Sequence, residues 1–262
     1  MSKTFTKAVG DIIEKSLENT KEQSGDFYKD DVLYCGVCRQ PKRKKQEFLG
    51  HVGEVGIACG CVEREKAERE RALLDARIQR MRNNAFGALN RKAPDMRFDK
   101  SKIDTKAVQA ARKYVEDLQD KLRNGKGIVF AGGKGTGKTY AATCILNAAL
   151  DQGYSCKATS YSALEKEMRS SYTNANAVLE RLAGENQFVM LDDLGSERDT
   201  PTMKATVYDV TDFLYKAEVP MIITTNLTLE EMSERDSDTG RIYDRIFENS
   251  DIVICEGDSL RI

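Results

Sequence analysis

Along residues 103–262 two kinds of block alternate. Short apolar runs at 128–131, 155–159, 188–191, 221–224 and 252–255 are separated by longer stretches rich in helix formers. Apolar runs of that length predict buried strands, and strands alternating with helices predict a parallel five-stranded α/β sheet. The N-terminal third is patterned differently. Residues 3–19 place Phe5, Val9, Ile12, Ile13 and Leu17 near helical spacing, one apolar stripe on a polar segment. A helix this short is marginal alone, so it packs on its own domain, the favoured reading, or on a partner. Residues 18–25 are polar and read as a linker. Residues 62–82 hold no Gly or Pro and carry opposite charges at i,i+4: Arg64–Glu68, Glu65–Arg69, Lys66–Glu70 and Arg71–Asp75. With only Leu74, Ile78 and Met81 as a weak stripe, they read as a solvent-bridging helix, ended by Asn83-Asn84 and then Lys92-Ala93-Pro94-Asp95. The expected organisation is a module over 1–61, a connector over 62–93 and an α/β domain over 94–262.

Between the first predicted strand and a predicted helix at 140–150 lies Gly132-Gly133-Lys134-Gly135-Thr136-Gly137-Lys138-Thr139, followed by Tyr140. This matches the phosphate-cradling P-loop pattern in the context the pattern needs. Backbone N–H groups and the helix dipole favour phosphate there. Lys138 is placed to reach the terminal phosphates and Thr139 to ligate Mg²⁺. The plain alternative is a glycine-rich turn, and the flanking strand and helix weigh against it.

The run 188–191 ends in Asp192-Asp193. A buried strand delivering acids to its C-terminal edge is the Walker B arrangement, with Asp192 toward Mg²⁺ and Asp193 toward the attacking water. Glu is more usual at the second position, and the shorter Asp suggests slow turnover. The run 221–224 leads to Thr225 and Asn226, where Asn226 is either a turn former or a γ-phosphate contact. Arg241 and Arg245 lie one helical turn apart. They read as a surface pair balanced by Asp238, Asp244 and Glu248, or as an arginine finger reaching a neighbour's phosphate.

Four of the seven cysteines form Cys35-x-x-Cys38 and Cys59-x-Cys61. Two close thiolate pairs suit a closed tetrahedral Zn²⁺ site of structural role, and His51, the single histidine, is able to replace one of them. Unligated cysteines are the alternative. Cys144, Cys156 and Cys255 read as core. The basic run Arg39, Lys42, Arg43, Lys44 and Lys45 reads as a solvated loop in preference to a phosphate contact. Composition adds limits: 262 residues, 32% charged, formal net charge −1, so no global field advertises nucleic acid. No apolar run approaches the roughly 18 residues of a membrane span, and no signal-peptide core is visible, so a cytoplasmic location is expected.

Taken together, these motifs resemble those of the DnaC-like replicative helicase loaders, especially the phage and Firmicute-type versions. The carriers are the two cysteine pairs, Gln79-Arg80-Met81-Arg82, residues 132–139, Leu191-Asp192-Asp193-Leu194-Gly195-Ser196-Glu197, Thr224-Thr225-Asn226-Leu227, Arg241-Ile-Tyr-Asp-Arg245-Ile246 and Gly257-Asp258-Ser259-Leu260-Arg261. The resemblance implies an AAA+ P-loop core without a separate lid domain, preceded by a zinc-bearing module that grips a hexameric helicase. It also implies Asn226 as sensor 1, Arg245 as arginine finger, Arg241 as a basic neighbour and Arg261 as a terminal-motif arginine. ATP, Mg²⁺ and structural Zn²⁺ follow as cofactors. Head-to-tail self-association and delivery of the helicase to single-stranded DNA follow as expected behaviour, from a bacterial or phage source. Lys166 and Arg169, on a helix predicted over 160–172, are a candidate strand contact or a plain exposed face. Rival readings are an IstB-type transposition helper, a small-molecule kinase, which would need a lid and an acceptor-binding insertion, and an adaptor that binds ATP without hydrolysing it.

Overall fold

Residues 27–56, where the sequence pattern predicts no strand, pair into two hairpins. The computed structural model describes residues 13–18, 20–48, 51–57, 59–87, 92–101, 104–170, 175–197, 200–233, 240–257 and 259. Contacts divide the chain into two units, residues 1–76 and 77–262, and the division falls within the charged helix.

In the first unit β1 (Phe27–Lys29) and β2 (Val32–Tyr34) run antiparallel. Asp30 and Asp31 turn them at positive φ, 49° and 60°, a region Asp tolerates and two-residue hairpins favour. β3 (Arg43–Phe48) and β4 (His51–Gly56) pair from Arg43 opposite Gly56 to Phe48 opposite His51. The basic run is therefore not a solvated loop: most of it is strand, and Lys42 is buried at 2% exposure. Its ammonium donates to Asp26 Oδ2 at 2.5 Å and to the Lys21 carbonyl at 2.8 Å. Nor are residues 18–25 a free linker, because Thr20 is buried and its hydroxyl donates to the Ser16 carbonyl. Of the N-terminal stripe, Phe5, Val9 and Ile12 lie outside the described residues, while Ile13 and Leu17 sit half-buried in a helical segment over 13–18.

α1 (Gly60–Phe86) is 27 residues long and exposed along most of its length, as its charge pattern predicts. Lys66 and Glu70 close to 4.0 Å. The helix continues through Asn83-Asn84, since Asn is only mildly unfavourable inside a helix, and Ala85 and Phe86 are buried in the second unit's core.

The second unit follows the expected alternation: α2 (Lys106–Glu116), α3 (Leu118–Arg123), β5 (Gly127–Gly132), α4 (Lys138–Asp151), β6 (Cys156–Thr159), α5 (Tyr161–Ser170), α6 (Ala175–Glu185), β7 (Phe188–Leu194), α7 (Pro201–Lys216), β8 (Met221–Thr225), α8 (Leu229–Ser233), α9 (Gly240–Glu248) and β9 (Ser250–Cys255). The strands form one parallel sheet in the order β6-β7-β8-β5-β9. Alternation along β5 sends Ile128 and Phe130 to one face, with Tyr114, Ile145 and Leu146. Val129 faces the other, with Leu164, Val210 and Leu214. A sheet covered on both faces explains the continuous apolar runs.

The stretch at 92–95 becomes a 3₁₀ turn, Ala93–Asp95, followed by a second, Phe98–Lys100. Both lie along α4. Asn147 Nδ2 donates to the carbonyls of Ala93 (2.8 Å) and Met96 (2.9 Å), and the Tyr140 hydroxyl donates to that of Arg97 (3.0 Å). At the far end Asp151 is ion-paired with Arg82 and Arg97.

Candidate nucleotide and metal sites

β5 delivers Gly132 to the sheet edge at φ 136°, where a Cβ would stand 2.2 Å from the Cys255 carbonyl oxygen. Glycine alone fits that approach. Gly137, at φ 88°, is the residue from which α4 starts, so the free N–H groups of its first turn face the loop. Thr136 is buried and bonds the Gly133 carbonyl at 3.0 Å. Gly133 and Lys134 are exposed, Gly135, Thr139 and Tyr140 are half-buried, and the Tyr140 hydroxyl is taken up by the Arg97 carbonyl.

Lys138 is buried at 7% exposure. Its ammonium donates to the carbonyls of Gly132 (2.7 Å) and Gly133 (2.6 Å) and to Asn226 Oδ1 (3.0 Å). The other side of the Asn226 amide donates to Asp193 Oδ1 at 2.8 Å. Thr139 Oγ1 donates to Asp192 Oδ1 at 3.0 Å, which leaves its oxygen lone pairs available to a hard cation such as Mg²⁺. Residues from three strand ends thus meet at one point: Lys138 and Thr139 after β5, the acids in β7, and Asn226 after β8. The C-terminal edge of a parallel sheet is where such folds bind ligands.

The acids owe their presentation to a break in pairing. β7 and β8 slip register between Leu191 and Leu194, and Asp193 takes φ 64°. An extra residue of this kind re-aims side chains beside sites. Thr224, which sequence reasoning left without a role, ties the pair together. Its hydroxyl donates to Asp192 Oδ1 at 2.6 Å and accepts the Asp193 N–H at 2.9 Å. The hydroxyl of Thr224, inside Thr224-Thr225-Asn226, was the only signal.

Beyond the acids lies a polar cavity of about 250 Å³, lined by Ser160, Ser162, Asp192, Asp193, Ser196 and Glu197. Burial pushes the Glu197 carboxyl up, the Gly195 N–H opposes it, and the Asp193 charge adds to the rise.

Arg245 stands on α9 with a partner the sequence did not suggest. It is ion-paired with Asp212 Oδ1 at 2.6 Å and lies over the rings of Tyr208 and Tyr215, at 5.2 and 5.8 Å from their centroids. Asp212 also holds Lys216. Arg241 belongs to the same helix, but its side chain lies outside the described residues, as do Asp238 and Arg261. On α5, Arg169 pairs with Glu165 at 2.9 Å, and Lys166 is exposed.

In the first unit the sulfurs of Cys35, Cys38, Cys59 and Cys61 lie within 4.8 Å of one another. Four sulfurs bonded at 2.3 Å to one tetrahedral zinc stand about 3.8 Å apart, so the set has the spacing to hold a metal ion. The backbone N–H groups of Cys38 and Val37 pull the Cys35 thiol down to about 7. Cys61 is pushed up to about 12 by its hydrogen bond to Cys38 and by burial, since adjacent thiolates repel when no cation offsets them. The turn is fixed from behind: Gly36 donates to Asp26 Oδ1 at 3.0 Å, and Gly60 donates to Gln40 Oε1 at 3.0 Å. The imidazole of His51 lies outside the described side chains.

Among the described residues no helix is long and apolar enough to cross a membrane. The chain is 27% identical over 159 residues to the replicative helicase loader DnaC of Escherichia coli (strain K12), a match over 59% of this chain and 63% of that protein. It thus spans less than two thirds of that relative's length. The crystal structure of the DnaC helicase loader superposes with a TM-score of 0.54 at 22% identity, covering 64% of this chain and 100% of that one. The crystal structure of DnaI gives 0.54 at 22% identity, covering 66% and 95%. At those identities the two structures show the shared fold, and the resemblance to DnaC-like loaders holds in both sequence and fold. The family described as IstB-like ATP binding protein matches residues 52–262, and the chain belongs to that ATP-binding family.

Proposed function

We propose that this protein is an ATP-driven loader that binds a hexameric replicative DNA helicase and delivers it to single-stranded DNA in the cytoplasm. The observation that carries the reading is the bond chain Lys138–Asn226–Asp193, with Thr139 bonded to Asp192. It gathers a phosphate-binding cation, a metal-facing hydroxyl, paired acids and a polar sensor at one sheet edge. Such a set can bind ATP with Mg²⁺ and position water for phosphoryl transfer.

In this reading Lys138 moves from the loop carbonyls onto the terminal phosphates, and Thr139 and Asp192 hold Mg²⁺. Asp193 takes the proton of the attacking water, and Asn226 orients that water or the γ-phosphate. Mg²⁺ supplies charge neutralisation at the phosphates. Arg245 is the group that reaches a neighbouring copy's phosphate in a head-to-tail assembly, with Arg241 beside it. It must first leave Asp212, so assembly exchanges an internal ion pair for one between subunits. The module over 1–61, with Zn²⁺ held by Cys35, Cys38, Cys59 and Cys61, grips the helicase. Residues 62–93 connect it to the ATPase domain over 94–262.

The test is co-purification with the hexameric helicase of the source cell or phage, followed by loading onto single-stranded DNA. Wild type is expected to load; Lys138→Ala and Arg245→Ala are expected to bind helicase without loading it. Equal loading by all three would sink the reading. The IstB-like family name favours one alternative, a transposition helper acting on a transposase–DNA complex. ATP turnover stimulated by transposase and not by helicase would select it.

A further inference from the structure

We infer that Glu197 is a positioning residue for ATP hydrolysis, holding the turn that aims Asp193 and bracing the loop that carries Asn226. The inference rests on the ATPase reading above and adds a residue to it. Glu197 Oε2 accepts the Gly195 N–H at 2.7 Å. Its other oxygen, Oε1, is buried with no hydrogen-bond partner among the described residues. Gly195 stands at φ 88°, and a Cβ there would meet Leu227 Cδ1 at 2.6 Å. The turn therefore presses directly on Leu227, the residue after Asn226.

The same turn is pinned at its start. Asp193 sits at φ 64°, and its carbonyl receives both the Ser196 N–H (3.1 Å) and the Ser196 hydroxyl (2.7 Å). The contacts close a ring: Glu197 to Gly195, Gly195 to Leu227, Leu227 to Asn226 along the chain, Asn226 to Asp193, and Asp193 to Ser196. Two left-handed residues in three positions make a turn with few bonds of its own; the Thr225 hydroxyl donates to its Leu194 carbonyl at 2.7 Å, and its Gly195 N–H is held by the Glu197 carboxylate. Releasing it frees Gly195, loosens the packing under Asn226 and lets the Asp193 carboxyl wander. Glu197 lines the same 250 Å³ cavity as both acids, so the displacement occurs where water is positioned for attack.

Removing the acceptor with Glu197→Ala is expected to lower kcat roughly tenfold to a hundredfold, the range for a catalytic group displaced by about an ångström. ATP affinity, read with a fluorescent analogue, stays within about twofold, because an interaction felt only in the transition state leaves ground-state binding unchanged. Glu197→Gln keeps an acceptor for the Gly195 N–H and is expected to hold kcat within about threefold. Unchanged kcat in Glu197→Ala, an equal loss of affinity and turnover, or a Gln variant as slow as the Ala variant would each overturn the inference. Hydrogen exchange at the Gly195 amide separates this from the wider reading. If wild type fails to hydrolyse ATP at all, the ATPase reading falls, and the exchange still decides the clamp. Protection lost only in Glu197→Ala supports it; protection unchanged in that variant overturns it.

Discussion

Lys138 donates to the Asn226 amide oxygen at 3.0 Å, and the amide nitrogen of the same Asn226 donates to Asp193 at 2.8 Å. One side chain therefore spans the cation and the second acid. Asn226→Ala removes both bonds and leaves Lys138 on its loop carbonyls. ATP binding is expected to persist while turnover falls roughly a hundredfold, the scale of losing one preorganised donor. Asn226→Asp keeps the acceptor for Lys138 but sets a second negative charge against Asp193, and is expected to be slower still. Steady-state turnover alongside nucleotide titration distinguishes a catalytic loss from a binding loss.

Chelation should act on the first unit alone. Its hairpins are short, and four thiols sit within 4.8 Å of one another. The full chain is expected to carry about one zinc, lost in Cys35→Ser and Cys59→Ser. Metal analysis gives the content, and hydrogen exchange should show residues 27–61 losing protection on chelation while β5 to β9 keep theirs.

The pair Asp26–Lys42 has side chains 3% and 2% exposed. Cutting one partner strands a buried charge, so Lys42→Met is expected to cost the first unit roughly 3 kcal/mol, and Asp26→Asn a similar amount. Replacing both together should recover much of the loss. Denaturant unfolding of the three variants gives the comparison.

That pair also sets an acid dependence. The Lys42 ammonium, with the Gln23 and Gly36 N–H groups, holds the Asp26 carboxyl down at about 2 against the burial that opposes it. A depressed folded value adds stability above the ordinary carboxyl range near 4, lost as pH falls through about 2. The gap between wild type and Asp26→Asn should stay constant from neutral pH to about 4 and narrow only below it. Metal release in acid affects both proteins and leaves the gap intact. Unfolding curves at stepped pH would instead show a gap that does not change with pH if Asp26 titrated alike in the folded and unfolded chain.

Arg245 serves its own chain before it serves any neighbour. Lying over Tyr208 and Tyr215 and ion-paired with Asp212, it should cost about 1–2 kcal/mol of second-unit stability when changed to Ala, through lost cation–π and ion-pair contacts. A trans role is visible separately by mixing. Arg245→Ala and Lys138→Ala, each inactive alone, should recover ATP turnover together, because the mixture rebuilds some complete shared sites.

The sheet is legible because buried parallel strands are uninterrupted apolar runs: four of the five fall within two residues of the predicted limits, and β7 runs three further, through the acids to Leu194. The P-loop and acid pair were legible because local geometry demands those residues in that order. The first unit was not. β3 is Arg-Lys-Lys-Gln-Glu-Phe, a run whose charge hides its pairing. Lys42 is buried because of Asp26, a residue too distant in sequence for any window to connect. The slip that turns Asp193 outward depends on which strand lies beside β7, and neighbours are not written in a single strand's pattern. The partner of Arg245 is hidden for the same reason: Asp212 stands on α7, outside any window around α9.

The bonds from Tyr140, Asn147 and Asp151 fall on one side of α4, spread over about 16 Å of its length at 1.5 Å per residue. A rod fastened at its start, middle and end can neither slide nor spin without shearing several fastenings together. The helix that follows the glycine-rich loop therefore travels as one piece with the strap at 93–100 and, through Arg82, with the last turns of α1. A displacement at the head of α4 would therefore have to move the base of the charged helix with it, by a linkage of fixed length.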